Sequence, residues 1–206
     1  MVLQAAKDML HQGLTEGTAG NISMRLDDGN VVVTPSSVDY DLMTVDDLVV
    51  LDPDGNVVEG ERPPTSEKLL HLAVLRAYPD IRSVIHSHPV HATMFAVAHL
   101  DLPPVIDEFL VYCGGEIRCS EYAPSGSKEL GEAVVKALEG RAAAFIANHG
   151  MVAVGPTPAK ALHVTALVDR VAHIVWGARA LGAVHEVPAE AAARFAAVYP
   201  FMRTNP

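Results

Sequence analysis

Two histidines stand two residues apart in "VIHSHPVHATMFAVAH", residues 84–99, a stretch holding four of the chain's ten histidines. In an extended strand, residues i and i+2 project from one face, so His86 and His88 can reach one ion while Ser87 points away. Two partly exposed imidazoles satisfied by neighbouring carbonyls would fit the same spacing. A catalytic zinc takes three protein ligands and keeps one position open, so a third ring has to come from a separate element. "ANHGMVAVG" offers His149 in a tight Asn-His-Gly turn between apolar runs, where a solvent-facing turn histidine is the other reading. His91 and His99 fall in the following helix and read as surface or packing residues. His71, His163 and His173 have apolar helical neighbours and read as core or interface residues, and His11 and His185 carry no signal.

Glu67 follows two hydroxyl residues, Thr65 and Ser66, in "PPTSEKLLHLA". An acid in a helix's first turn is favoured by the macrodipole whatever else it does. Hydroxyls beside free first-turn N–H groups also make an anion site. "EGTAGN" adds Gly17 and Gly20, which let backbone approach a ligand closely, and the amide of Asn21; "TPSS" adds Ser36 and Ser37 at a strand end. This is not a dinucleotide fingerprint, because G-x-x-G-N lacks the spacing and precedes a strand. Each stretch alone is also compatible with an ordinary turn.

Elements must hold these residues in place. Residues 1–14 read as a short amphipathic helix. "ISMRL" and "VVVTPS" flank "DDGN", and "LVVLD" and "VVEG" flank "PDGN", two Asp-Gly hairpins that call for antiparallel sheet. Residues 65–78 read as a helix with a Thr/Ser start and a stop at Pro79. "IRSVIHSH" reads as a strand and "PVHATMFAVAHL" as a helix with Pro89 in its first turn. "PPVIDEFLVYCGGEIRCSEY" reads as β-like with a Gly-Gly interruption, "SGSKELGEAVVKALEG" as a capped helix closed by Gly140, and "AAAFIANHGMVAVG" as strand, turn, strand. A long helix runs from Thr157-Pro158 to about Leu181, apolar around much of its girth.

The whole chain, 1–206, fits one domain with an ordinary core. Half its residues are hydrophobic, punctuated by 15 Gly and 14 Pro, as in a globular α/β or α+β protein. A formal charge of −10 disfavours nucleic acid or an anionic membrane as partner, while helix N-termini can still hold a small phosphate. Cys113 and Cys119 are six residues apart, roughly 20 Å in extended chain, and read as free thiols. With no signal-like N-terminus and no bilayer-length apolar run, a cytoplasmic protein is expected.

In order and spacing, "GTAGNISMR", "TPSS", "PPTSEKLLHLA", "VIHSHPVHAT" and "ANHGMVAVG" resemble the motifs of the class II aldolase/adducin family, from about Gly13 to Pro188. The resemblance implies an α/β fold, a three-layer α/β/α arrangement with a mainly antiparallel central sheet, and a homotetramer with active sites between subunits. It makes His86, His88 and His149 zinc ligands and Glu67 a carboxylate that alternates between metal ligand and catalytic base. Gly20, Asn21, Ser36, Ser37, Thr65 and Ser66 take positions that hold a substrate phosphate. Family aldolases have Thr-Gly where Ser36-Ser37 stand and Ser-Ser where Thr65-Ser66 stand. They carry a tyrosine, reaching from the neighbouring subunit, where this chain has Glu108, so Glu108 or Tyr112 is expected to move the aldehyde-side proton.

The implied reaction is reversible cleavage of a small phosphorylated sugar, a ketose 1-phosphate, to dihydroxyacetone phosphate and an aldehyde. The 107–122 segment and the C-terminal tail with Tyr199 and Phe201 are expected at the aldehyde half. Zn²⁺ is the expected ion, and Mn²⁺, Co²⁺ or Fe²⁺ suit the same ligands. None of the five lysines lies in a nucleophile setting, in agreement with a metal route. The same site also serves sugar-phosphate 4-epimerases and a methylthioribulose-phosphate dehydratase, whereas the adducin head, a non-catalytic interaction module, needs none of these ligands.

Overall fold

The Asp-Gly turns set up the sheet. In the computed structural model, which describes residues 1–205, β1 (Asn21–Arg25) pairs antiparallel with β2 (Val31–Val33), and β3 (Val49–Leu51) with β4 (Val57–Glu59). Aspartate side chains organise both turns: Asp28 Oδ1 accepts from the Asn30 N–H, and Asp52 Oδ1 from the N–H groups of Asp54 and Asn56. β5 (Ser83–Ser87), β6 (Ala143–Ile146) and β7 (Gly150–Gly155) complete a seven-stranded sheet in the order β4-β3-β2-β1-β5-β7-β6, every neighbouring pair antiparallel.

Helices cover both faces, which gives the expected three layers. α1 (Val2–His11) lies on one face; α2 (Lys68–Ala77) packs on the other, where Leu70, Val74 and Leu75 meet Val33, Val84, Val152 and Val154. α3 (Val90–Ala98) and α4 (Asp107–Cys113) join the α1 face, and α5 (Lys128–Ala137) lies beside α2. α6 (Pro158–Leu181) runs under the α1 face, burying Val164, Val168, Val171 and Val175 against Phe145 and Met151. Short α7 (Ala189–Ala196) and α8 (Tyr199–Thr204) pack on α4. Period-two alternation sorts the strands: Val84 and Val152 face α2 and α5, Ile85 and Met151 face the other layer. No helix among the described residues is long and apolar enough to cross a membrane.

One segment departs from the sequence reading. The β-like stretch around "IDEFLVYCGG" contains α4, with Asp107 and Glu108 in its first turn, Phe109, Leu110 and Cys113 buried, and Gly114 at the end with φ +82°. The Gly-Gly pair is thus a helix C-cap, since a left-handed residue closes a helix and glycine adopts it freely. Only isolated bridges, Leu102 with Ile117 and Cys119 with Phe145, remain of the expected strand. Glu67 also shifts: it is the N-cap of α2 rather than a first-turn residue, and Thr65 and Ser66 precede the helix. Cys113 and Cys119 are free, as expected.

Candidate functional site

Strand register brings the separated motifs to one end of the sheet. Asn21 at the start of β1 lies opposite His86 near the end of β5, and Ser87 lies opposite Met151 in β7. The turn between β6 and β7 then sets His149 next to that end, with Asn148 in the left-handed region (φ 57°) and its Oδ1 held 2.7 Å from His99 Nε2. Gly150 makes the approach possible: a Cβ there would lie 2.5 Å from the Ser87 carbonyl oxygen and 2.6 Å from His88 Cδ2.

The three rings converge. A nitrogen from each of His86, His88 and His149 lies within 4.8 Å of the other two, and the ring centroids are 4.6, 4.6 and 5.1 Å apart. The carboxylate of Glu67, itself buried, stands against two of them: Oε2 is 3.1 Å from His86 Nε2 and Oε1 is 3.7 Å from His149 Nε2. Asn21 Nδ2 donates to Oε2 at 3.1 Å, and Ser125 Oγ donates to Oε1 at 2.9 Å.

His86 tests whether these residues suit a metal. Its Nδ1 is 2.9 Å from the Met151 carbonyl oxygen, which can only accept, so Nδ1 carries the proton and the neutral ring's lone pair is at Nε2. That Nε2 is buried with no hydrogen-bond partner and faces a carboxylate oxygen. When the ring carries no proton there, two acceptors face each other, an arrangement that a cation between them, a proton or a metal ion, relieves. A divalent ion fits: three imidazoles and one carboxylate are borderline-hard ligands suited to zinc and its neighbours, and the Met151 carbonyl supplies the outer contact that fixes the ring's tautomer.

The electrostatics keep the ligands in their binding forms. Burial, followed by the neighbouring His86 and His149, pushes His88 down to about 4, and burial with His86 also lowers His149. Burial alone would raise the Glu67 carboxyl, but its contacts with His86, Asn21 and His149 outweigh this and hold it well below the usual carboxylate range. Neutral His88 and His149 rings and an ionised Glu67 carboxylate do not have to shed protons to take a metal.

The hydroxyl segments also meet. Ser36 N donates to the Pro63 carbonyl and Thr65 N to the Thr34 carbonyl, so "TPSS" lies along "PPTS" and puts Ser36, Ser37, Thr65 and Ser66 in adjacent chains. Gly20 precedes Asn21 at φ +75°, where a Cβ would come 2.8 Å from the His86 carbonyl oxygen. Thr65 Oγ1 accepts from the Glu67 N–H, and Asn21 is committed on both sides, to Glu67 and to His71. Asn21 Nδ2 carries a second hydrogen beyond the one given to Glu67.

Other expected residues lie elsewhere within the chain. Glu108 is ion-paired with Arg170 of α6, and Tyr112 meets His163 edge-on. Tyr199 is buried against Gly114 and bonded to Arg203, in a region bordered by Gly155 at the far end of β7, so it does not close this chain's histidine site, and Phe201 is exposed. Two contributors escaped the sequence reading. Ser125 read only as part of a helix cap, although the small residues of "APSGS" were a signal for close approach; His71 read as a core histidine, and its polar partners lie on a distant strand. Beside His88 opens a cavity of about 620 Å³ with apolar walls that include Val90, Met94 and Val97.

A family model described as the class II aldolase and adducin N-terminal domain matches residues 1–176. The 5-deoxy-D-ribulose 1-phosphate aldolase of Bacillus thuringiensis serovar kurstaki is 34% identical over 182 residues, covering 88% of this chain and 85% of that protein. The L-ribulose-5-phosphate 4-epimerase of Salmonella paratyphi B is 35% identical over 192 residues, covering 87% and 84%. Among solved structures, an L-fuculose 1-phosphate aldolase superposes with a TM-score of 0.91 at 35% identity, covering 95% of this chain and 92% of that one.

Proposed function

We propose that this chain, which belongs to the class II aldolase and adducin family, is a zinc-dependent aldolase that reversibly cleaves a ketose 1-phosphate to dihydroxyacetone phosphate and an aldehyde. The observation that carries this reading is the buried Nε2 of His86, grouped with nitrogens of His88 and His149 and facing the carboxylate of Glu67. His86, His88 and His149, with the Glu67 carboxylate beside them, would hold the ion. Once bound, a divalent ion supplies Lewis acidity at the substrate carbonyl oxygen, where negative charge develops.

The chain's own groups do the rest. Ser36, Ser37, Thr65 and Ser66, with the free hydrogen of Asn21 Nδ2 and the close backbone at Gly20, hold the phosphate. In the condensation direction the Glu67 carboxylate takes the proton from the carbon next to the carbonyl, and in cleavage it returns one there. Asn21 and Ser125 keep its two oxygens oriented for that transfer. Glu108 from a neighbouring copy moves the proton at the aldehyde oxygen. The exposed apolar side chains of Met94, Val97, Leu100, Ile174 and Trp176 support contact between copies, in a homotetramer whose sites lie between subunits. The mainly apolar cavity beside His88, with Glu16 as its one acidic wall residue, supports an aldehyde ending in a methyl or similar group.

The identity to a 4-epimerase favours a second reading on the same site. A panel of ketose 1-phosphates and pentulose 5-phosphates, incubated with protein of measured metal content, separates the two. Aldehyde and dihydroxyacetone phosphate in equal amounts support the aldolase; an isomeric pentulose phosphate without aldehyde overturns it.

A further inference from the structure

Behind Glu67 lies a buried polar chain that the chemistry above leaves unused. Two elements interlock there. Asn21 and Ser23 are two apart on β1 and project from the same face; Glu67 and His71 are four apart at the start of α2 and lie one turn from each other on the same side. Their side chains alternate across the gap. Ser23 Oγ is 2.6 Å from His71 Nδ1, His71 Nε2 is 2.5 Å from Asn21 Oδ1, and Asn21 Nδ2 is 3.1 Å from Glu67 Oε2. Ser23 and His71 have no exposed surface, and Asn21 and Glu67 are 6% and 5% exposed.

The final acceptor fixes the direction of every bond. A carboxylate only accepts, so Asn21 turns Nδ2 to Glu67 and keeps Oδ1 for the histidine. An amide oxygen also only accepts, so His71 carries its proton on Nε2. The neutral ring then has a lone pair at Nδ1, which takes the hydroxyl proton of Ser23. Burial keeps that ring neutral, at about 3. The base of the chain is anchored as well, since Ser83 Oγ of β5 donates to the Ser23 carbonyl at 2.9 Å. Hydrogen bonds thus run in one sense from the Ser23 hydroxyl through His71 and Asn21 to the Glu67 carboxylate.

Building on the role assigned to Glu67, we propose that His71 is a positioning residue: its Nε2–H locks the Asn21 amide in the orientation that holds Glu67 against the metal ligands. Without that donor the amide is free to rotate, and its oxygen, once turned toward the carboxylate, repels it. A leucine fills much the same space as the ring but has no N–H to give. Packing and positioning therefore predict different outcomes when the donor alone is removed.

The test uses the full chain loaded with Co²⁺, whose visible absorption reports the ligand field directly, and compares His71→Leu with His71→Gln, which keeps an N–H donor. Expected are altered Co²⁺ bands and a kcat lower by 10–100-fold in His71→Leu, the size usual for losing an outer contact of a metal site, with KM within about twofold. His71→Gln should restore most of both. Unaltered bands and a kcat within twofold in a folded His71→Leu protein overturn the proposal, and so does a Gln variant no better than the Leu one. If His71→Leu does not fold, His71→Met, a more pliable side chain equally without an N–H donor, should alter the bands in the same way, and unaltered bands there refute the proposal. A wild-type chain that takes up no Co²⁺ would instead sink the metal reading of the site.

Discussion

Replacing Gly150 with alanine separates the site's geometry from the fold's stability. Gly150 has an ordinary β-strand φ, so the backbone tolerates a side chain, and the cost arises from contact alone. The new Cβ would sit 2.5 Å from the Ser87 carbonyl oxygen and 2.6 Å from His88 Cδ2, nearly 1 Å short of ordinary contact. Ser87 is fixed in the β5–β7 ladder, which leaves the His88 ring as the group that yields. Displacing a ligand by several tenths of an ångström exceeds the roughly 0.2 Å that metal–ligand distances tolerate. Overpacking of this kind costs about 1–3 kcal/mol of stability, and metal affinity should fall at least about tenfold. Gly155→Ala is the control. At the other end of β7 its Cβ would meet the Ala161 N at 2.8 Å, a clash of similar kind far from the histidines. Urea unfolding of metal-free protein should give similar losses for both variants, while zinc competition against a chromophoric chelator should weaken for Gly150→Ala only. Equal zinc affinities in the two variants would refute the reasoning.

Glu67→Gln should keep a bound divalent ion but lower exchange of the dihydroxyacetone phosphate proton with solvent by about 10²–10⁴-fold, the usual share of a general base; unchanged exchange, followed by NMR in deuterated water, removes Glu67 as the base. The metal-free protein should lose stability as pH falls. His71 in the folded chain is held down at about 3 by burial, while the unfolded chain protonates it near its ordinary 6.5. The unfolded state therefore binds the extra proton between those values, and unfolding free energy drops by about 1.4 kcal/mol per pH unit from this group across that window. The depressed His88, at about 4, adds to this slope between 6.5 and 4, while the lowered Glu67 carboxyl adds only below its ordinary 4.5. A urea midpoint that does not fall between pH 7 and pH 5 contradicts the burial argument.

Much of the fold is written locally. The hairpins follow from Asp-Gly turns with aspartate side chains capping their backbone, and the long helix from Thr157 at its cap and Pro158 in its first turn. The H-x-H pair is legible because period two fixes both rings on one face. α4 was not legible: "IDEFLVYC" is too short for periodicity to separate helix from strand, and its glycine cap looks the same as a strand break. Glu67 shows the other limit. Locally it is a helix-start acid, and only partners 19 to 82 residues away, His86, Asn21, Ser125 and His149, bring it to the candidate site. Tyr199 is a similar case, since its burial against Gly114 depends on how α8 folds back onto α4.

The most direct test of the site is metal stoichiometry, measured by elemental analysis after equilibrium dialysis against Zn²⁺ for the wild type and for His149→Ala. Convergence of the three rings predicts one tightly held ion per wild-type chain and, because a remote turn supplies a ligand, a large loss of occupancy when that turn's imidazole is removed. A wild-type chain that retains no ion, or a His149→Ala chain that retains it undiminished, would contradict the convergence on which the proposed chemistry stands.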